Sequence, residues 1–224
     1  MLYHTRMVYR KTRKPRKTRK PRKTRKTRKH IGGKIHFKSI PVEIKNAAMY
    51  VFNPDRNTVK QQIDELLLTI LNEANITQHL ASGTTKVVYN VENPLLVFKL
   101  VILNTSLFER FVKEPLYMIT HPDICNPPLH PFTVYGNNIT PNENYTIVHK
   151  DDIASYVIMT WYEEKASKTN TRSFTKDEKE EAIEFIKNTK TTLENDGFTD
   201  LGQINIGLFS TEPKYRWIDI QPIA

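Results

Sequence analysis

The chain has 224 residues, 38% of them hydrophobic and 10% aromatic, enough for one ordinary domain core with an appendage. Its formal charge of +10 is unevenly placed: half of the 34 Lys and Arg residues lie in residues 1–38, which hold no Asp or Glu, so residues 39–224 carry the other half against all 24 acidic residues. A single cysteine, Cys125, excludes an intrachain disulfide and fits a reducing compartment. No apolar run reaches the roughly 18 residues of a membrane span, and the N-terminus is too charged for a secretory signal. The expectation is therefore an intracellular protein that is neither secreted nor membrane-bound. One cysteine and seven scattered histidines offer no zinc-ligand cluster, and no serine-hydrolase, zinc-protease or phosphate-binding-loop motif is present.

Residues 10–29, RKTRKPRKTRKPRKTRKTRK, repeat with a three-residue period, Arg-Lys followed by Thr or Pro. Nothing apolar is available to bury and like charges repel, so this segment is expected to be disordered when free. Pro15 and Pro21 exclude a continuous helix and favour an extended polyproline-like form. Arg10, Lys11, Arg13, Lys14, Arg16, Lys17, Arg19, Lys20, Arg22, Lys23, Arg25, Lys26, Arg28 and Lys29 are candidate contacts to the phosphates of nucleic acid or another polyanion. Such contacts bind without reading bases. No aromatic residue is interleaved, which argues against a base-stacking platform. The same composition serves nuclear targeting. His30-Ile-Gly-Gly33 reads as a hinge, leaving residues 1–38 as a basic tail on a domain at 39–224.

Along the domain, residues 58–74 have apolar residues at 59, 63, 66, 67, 70 and 71, the spacing of a helix with one buried face. KVVYNV (86–91) and LLVFKLVI (95–102) flank Glu92-Asn93-Pro94 and predict a hairpin. Ser106–Glu114 is a short helix expected to stop or kink at Pro115, and the Pro- and Asn-rich residues 121–144 are expected to be mostly loop. YTIVHK (145–150) and SYVIMTWY (155–162) predict two more strands, followed by a polar loop. Thr175 and Glu178 form a capping-box pattern before a helix at 176–195, with Gly197 as its stop. INIGLF and YRWIDI predict a closing hairpin.

The order of elements and the polar residues together resemble a protein kinase over residues 76–221. Leu80-Ala-Ser-Gly83-Thr-Thr-Lys-Val-Val88 resembles the glycine-rich loop and its following valine, with Gly83 kept and Ala81 and Lys86 where the other glycines would stand. Val97-Phe-Lys99 resembles the V-A-I-K strand. Phe111-Val-Lys-Glu114, followed by His121-Pro-Asp-Ile124, resembles the αC segment and its trailing H-P-N-I. The resemblance implies that Glu114 pairs with Lys99. Pro115 follows Glu114 directly, and Glu109 is the alternative partner, although Ser106-x-x-Glu109 also has capping-box form. Tyr156–Tyr162 would lead into the adenine-binding hinge. Asp200-Leu-Gly-Gln-Ile-Asn205 has the spacing of the catalytic loop D-L-x-x-x-N, and Asp219, between two isoleucines, stands for the Asp of D-F-G.

What the resemblance implies is an α+β, protein-kinase-like fold with an antiparallel N-lobe sheet (about 39–162) and a truncated helical C-lobe (163–224). ATP and Mg²⁺ are the implied cofactors. Ala81, Gly83, Val88 and Lys99 would hold the nucleotide, and Asn205 and Asp219 the metal. Asp200 would orient a serine or threonine hydroxyl and accept its proton. Three departures stand against this. Phe198-Thr199 replaces the His-Arg before the catalytic Asp, Ile220-Gln221 follows the second Asp instead of Gly, and the chain stops at Ala224. They leave a pseudokinase, whose surface serves a protein partner, beside an active kinase. The alternative is a DNA-binding virion structural or packaging protein in which the domain is only scaffold. A basic repeat fused to a pared-down kinase-like domain suggests a large DNA virus, acting in host cytoplasm, nucleus or virion.

Overall fold

The computed structural model describes residues 33–51, 57–83, 85–129, 131–153 and 155–223. The basic repeat at 10–29, with every phosphate contact expected of it, lies outside the described residues. The described residues belong to one unit, Gly32–Ala224. It begins with helices α1 (Val42–Val51) and α2 (Asn57–Glu73) and strands β1 (Ile76–Ser82), β2 (Lys86–Val91) and β3 (Leu96–Asn104). Two short helices follow, α3 (Phe108–Phe111) and α4 (Lys113–Thr120), then β4 (Phe132–Gly136), β5 (Tyr145–His149), β6 (Tyr156–Glu164) and β7 (Lys168–Thr169). Helix α5 (Lys176–Asn195) leads to the short strands β8 (Phe198–Thr199), β9 (Ile206–Leu208), β10 (Tyr215–Trp217) and β11 (Gln221–Pro222).

Six strands form the main sheet in the order β1-β2-β3-β6-β4-β5, antiparallel except for the β4–β5 pair. The fold is α+β with a mostly antiparallel sheet, as expected. Strands β3 and β6 pair along nine residues at its centre, from Leu96↔Glu164 to Asn104↔Tyr156. Both faces of these strands are covered, which is why their sequences are apolar at nearly every position. Side chains alternate between faces with period 2. Phe98, Leu100, Ile102 and Ile158 enter one core with Ile44 of α1 and Ile63, Leu67, Ile70 and Leu71 of α2. Val101, Leu103, Val157, Met159 and Trp161 enter a second core with Phe108, Val112, Phe132 and Val134. Each fully buried side chain of this kind contributes about 1.5–3 kcal/mol of transfer free energy. Just before α1, the Ile35 N–H bonds Ile76 O at 2.7 Å and the Phe37 N–H bonds Asn72 Oδ1 at 2.8 Å.

A third core lies C-terminal to the sheet, where Met118, Cys125, Ala182, Leu193, Phe198, Ile206 and Trp217 pack together. Thr175 caps α5 through the expected capping box, and Gly197 follows the helix at φ +85°, a backbone state that suits glycine. The Trp217 Nε1–H donates to Thr189 Oγ1 at 2.9 Å, fastening β10 to α5. Cys125 is fully buried in this core, and burial pushes its thiol pKa up.

One expectation needs correction. The helix does not stop at Pro115: it is interrupted at Val112, between α3 and α4, and α4 carries Pro115 in its first turn. A proline there removes only an N–H that has no intrahelical partner. Residues 121–144 are mostly loop, as expected, with one five-residue strand, β4, that buries Phe132 and Val134. Its alternation covers only five residues and is flanked by turn-forming sequence. Among the described residues no helix is long and apolar enough to cross a membrane.

Candidate functional site

A cavity of about 390 Å³ lies where the sheet meets the C-terminal segment. Leu80 and Ala81 of β1, Lys86 and Val88 of β2, and Val97 and Lys99 of β3 line it from the sheet. Glu163 to Ser167, leaving β6, form its side, and Ile204, Asn205, Ile218 and Asp219 close it from the C-terminal part. Strand register explains the sheet contribution. Val88 pairs with Lys99 and Lys99 with Trp161, so these side chains share a face, and Lys86 joins them two residues from Val88. Leu80 and Ile204, both largely exposed, contribute apolar surface to it.

Charged groups gather at one part of this cavity in two sets. Lys86 Nζ lies 2.5 Å from Glu114 Oε1 and 2.7 Å from Asp219 Oδ1. Lys99 Nζ lies 2.8 Å from Glu163 Oε2 and donates to the Ile218 carbonyl at 2.6 Å. The sequence resemblance had implied a Lys99–Glu114 pair; instead Glu114 holds Lys86 and Glu163 holds Lys99. Glu163 is 1% exposed and is satisfied further by the Trp161 Nε1–H at 2.6 Å and Asn126 Nδ2 at 3.0 Å. Desolvating a carboxylate and an ammonium costs several kcal/mol each, so such a pair persists only when its remaining lone pairs and protons also find partners.

The titration of the first set follows from its geometry. Burial pushes the Glu114 carboxyl up, Lys86 pulls it down and Asp219 pushes it up again, leaving it at about 7. Burial also raises Asp219, but the ammonium groups of Lys86 and Lys99 outweigh this and hold it below the usual range. For Lys86, burial works against the charge, yet Asp219 and Glu114 hold the ammonium above the usual lysine range. The balance is an ionised Asp219 and Lys86, with Glu114 the group that exchanges a proton near neutrality.

On the C-terminal side, Asp200 sits at φ +58° and Gln203–Asn205 forms a 3₁₀ turn. Asn205 is 8% exposed and its Nδ2 donates to the Asp200 carbonyl at 2.7 Å. That carbonyl can only accept, so the amide is oriented with Oδ1 left as its acceptor. The Ile218 N–H donates to the Asn205 carbonyl at 2.9 Å, which sets Asp219 beside Asn205.

The structure therefore brings Ala81, Val88, Lys99, Asn205 and Asp219 to one cavity, with Glu114 against Lys86. Asp200 is exposed and joined to the site through Asn205. Gly83 stands at the β1–β2 turn, its N–H donating to Lys86 O at 2.8 Å. Glu109, the alternative partner, is exposed on α3. Tyr156–Tyr162 is strand and leads directly into the segment at the cavity's side, Glu163–Ser167. Sequence reasoning missed Lys86 and Glu163 as site residues. The available signal was alternation: Lys86 shares a face with Val88, and Glu163 with Trp161.

Among the described residues no group of three His, Cys, Asp or Glu side chains is gathered to hold a metal ion. Comparison with known protein families and with curated proteins finds no match for this chain.

Proposed function

We propose that the unit formed by the described residues is an ATP-binding, protein-kinase-like module whose nucleotide lies in the cavity between the sheet and the C-terminal segment. One observation carries this reading. Lys99, Asn205 and Asp219, distant in the chain and singled out by the resemblance to protein kinases, line a single cavity that also offers apolar surface from Leu80, Val88, Val97 and Ile204. An apolar region suits a planar base, and a cationic, carboxylate-bearing region suits phosphates with a metal ion. The antiparallel sheet, the buried glutamate in the first turn of α4 and the segment after β6 that borders the cavity also support it.

Asp219 and the Oδ1 of Asn205 fit magnesium. That ion binds through one or two protein oxygens and takes the rest of its octahedron from phosphates and water. Asp219 keeps 49% of its side-chain surface open, so a second oxygen is accessible beside the one that holds Lys86. A bound magnesium ion would neutralise phosphate charge. Asp200, held through its carbonyl by Asn205, would face an acceptor hydroxyl.

The test is displacement of a fluorescent ATP analogue from the full-length chain at high salt, which suppresses adventitious binding to the basic tail. Saturable binding, displaced by ATP and by adenosine and strengthened by Mg²⁺, is expected. Asp219→Asn should abolish the Mg²⁺ effect. Binding that adenosine cannot displace and Mg²⁺ cannot strengthen would remove the reading.

The basic repeat supports a second, separable activity, binding of nucleic acid or another polyanion. Its 14 cations within residues 10–29 have no acidic neighbour in that segment. Each phosphate contact should add about 0.9 to the log–log salt slope on duplex DNA. Deleting residues 10–29 should abolish salt-sensitive DNA binding without changing adenosine affinity. Equal DNA binding by the deleted chain would assign that activity elsewhere.

A further inference from the structure

Resting on the nucleotide reading above, we infer that Lys86, and not Lys99, is the cation that contacts the nucleotide's phosphates, and that Lys99 is a positioning residue tying the sheet to the C-terminal segment. The two ammonium groups enter the same cavity from adjacent strands, but their commitments differ. Lys99 is 6% exposed at its side chain and bonds a carboxylate that is itself 1% exposed, together with the Ile218 carbonyl. Turning it toward a ligand would leave Glu163 buried without its counter-charge. It would also release the bond that joins β3 to the chain segment carrying Asp219.

Lys86 is placed differently. Its partners are Glu114, which is buried, and Asp219, whose side chain is half open to the cavity. A phosphate brought to Asp219 by a metal ion therefore comes within reach of the ammonium already bonded to that carboxylate. The carbonyl of Lys86 accepts the Gly83 N–H, so its backbone is pinned at the β1–β2 turn. Glu114, in the first turn of α4, then holds the lysine that touches phosphate, from the neighbouring strand to the one the sequence resemblance implies. Lys86 Nζ also lies 5.9 Å from the Trp161 ring centre, a further contact that keeps the ammonium on the cavity face of the sheet.

The experiment compares ATP and adenosine affinities of the full-length chain at high salt, by displacement of the same fluorescent analogue. Adenosine lacks the phosphates, so the ratio of the two affinities isolates the phosphate contact from any loss of fold or base binding. In Lys86→Met the ATP affinity should fall about ten- to a hundredfold, the range of a charge-assisted hydrogen bond, while adenosine affinity is unchanged. Lys99→Met, combined with Glu163→Gln so that no unpaired carboxylate is left buried, should keep the wild-type ratio and lower the melting temperature. An unchanged ratio in Lys86→Met overturns the inference, as does a collapsed ratio in the Lys99 variant. If the wild-type chain binds neither ATP nor adenosine, the nucleotide reading itself fails and takes this inference with it.

Discussion

On one face of the central sheet, Val87, Tyr89, Phe98, Leu100 and Ile158 pack beneath α1 and α2 as an apolar layer. On the other face, the same strands set Lys86, Lys99 and Glu163 among Val101, Met159 and Trp161. The apolar layer is stabilised by any side chain of suitable volume, since its driving force has no direction. The polar face is stabilised only as pairs. Lys99 needs Glu163 from β6 and a carbonyl from near the C-terminus, and Lys86 needs Glu114 and Asp219. A strand two residues out of phase would still fill the first face with apolar groups, but it would leave the second with unpaired charges. The polar face therefore specifies register more sharply than the apolar one.

Breaking one pair should cost as much as a large core truncation. Glu163→Ala strands the Lys99 ammonium in a buried site, and a loss of about 3–5 kcal/mol is expected by urea unfolding. Leu100→Ala, on the opposite face of the same strand and fully buried, should cost about 2–5 kcal/mol through lost transfer free energy and a residual cavity. It should leave the ratio of ATP to adenosine affinity untouched. A Glu163→Ala protein as stable as wild type would contradict the contrast between the faces.

The next effect is set by pH. The folded-state pKa of Glu114 is about 7, above its unfolded value of 4.5, so the folded protein binds the proton more tightly. The stabilisation present below pH 4.5 is lost as pH rises through 7, by at most about 3 kcal/mol. Lys86, Asp219 and Lys99 are the charges that set this value. Glu114→Gln should flatten that part of the stability profile between pH 5 and 8, and a profile identical to wild type would show that Glu114 does not titrate there. The smallest effect belongs far from either face. Thr175→Ala removes the side-chain cap of α5 and should cost about 1 kcal/mol, measured as a shift of the unfolding midpoint with no change in nucleotide affinity.

Much of the architecture was legible because its signals are local. The apolar stripe of α2, the capping box and glycine stop of α5, and the apolar runs of β3 and β6 each lie within about 20 neighbouring residues. Strand β1 was harder to see, since it is an edge strand with one buried residue and no apolar alternation. Strand β4 is short and framed by prolines and asparagines, so its turn-like surroundings masked its alternation. At the site, Ala81, Val88, Lys99, Asn205 and Asp219, singled out by the resemblance, reach one cavity, but the pairing of the charged groups was not readable. The resemblance paired Glu114 or Glu109 with Lys99; only the fold, which sets Lys86 on the strand beside Lys99, decides that Glu114 reaches Lys86.

Local sequence specifies the basic repeat and its separation from an acidic domain, helix α5 with its cap, and the central strands. These follow from composition, periodicity and backbone stereochemistry, which act between near neighbours. The tertiary structure alone decided that Glu163 holds Lys99, that Lys86 joins Glu114 to Asp219, and that Asn205 turns its amide toward Asp200. Those contacts form within about 3 Å, between groups whose separation in the chain bears no relation to their separation in space.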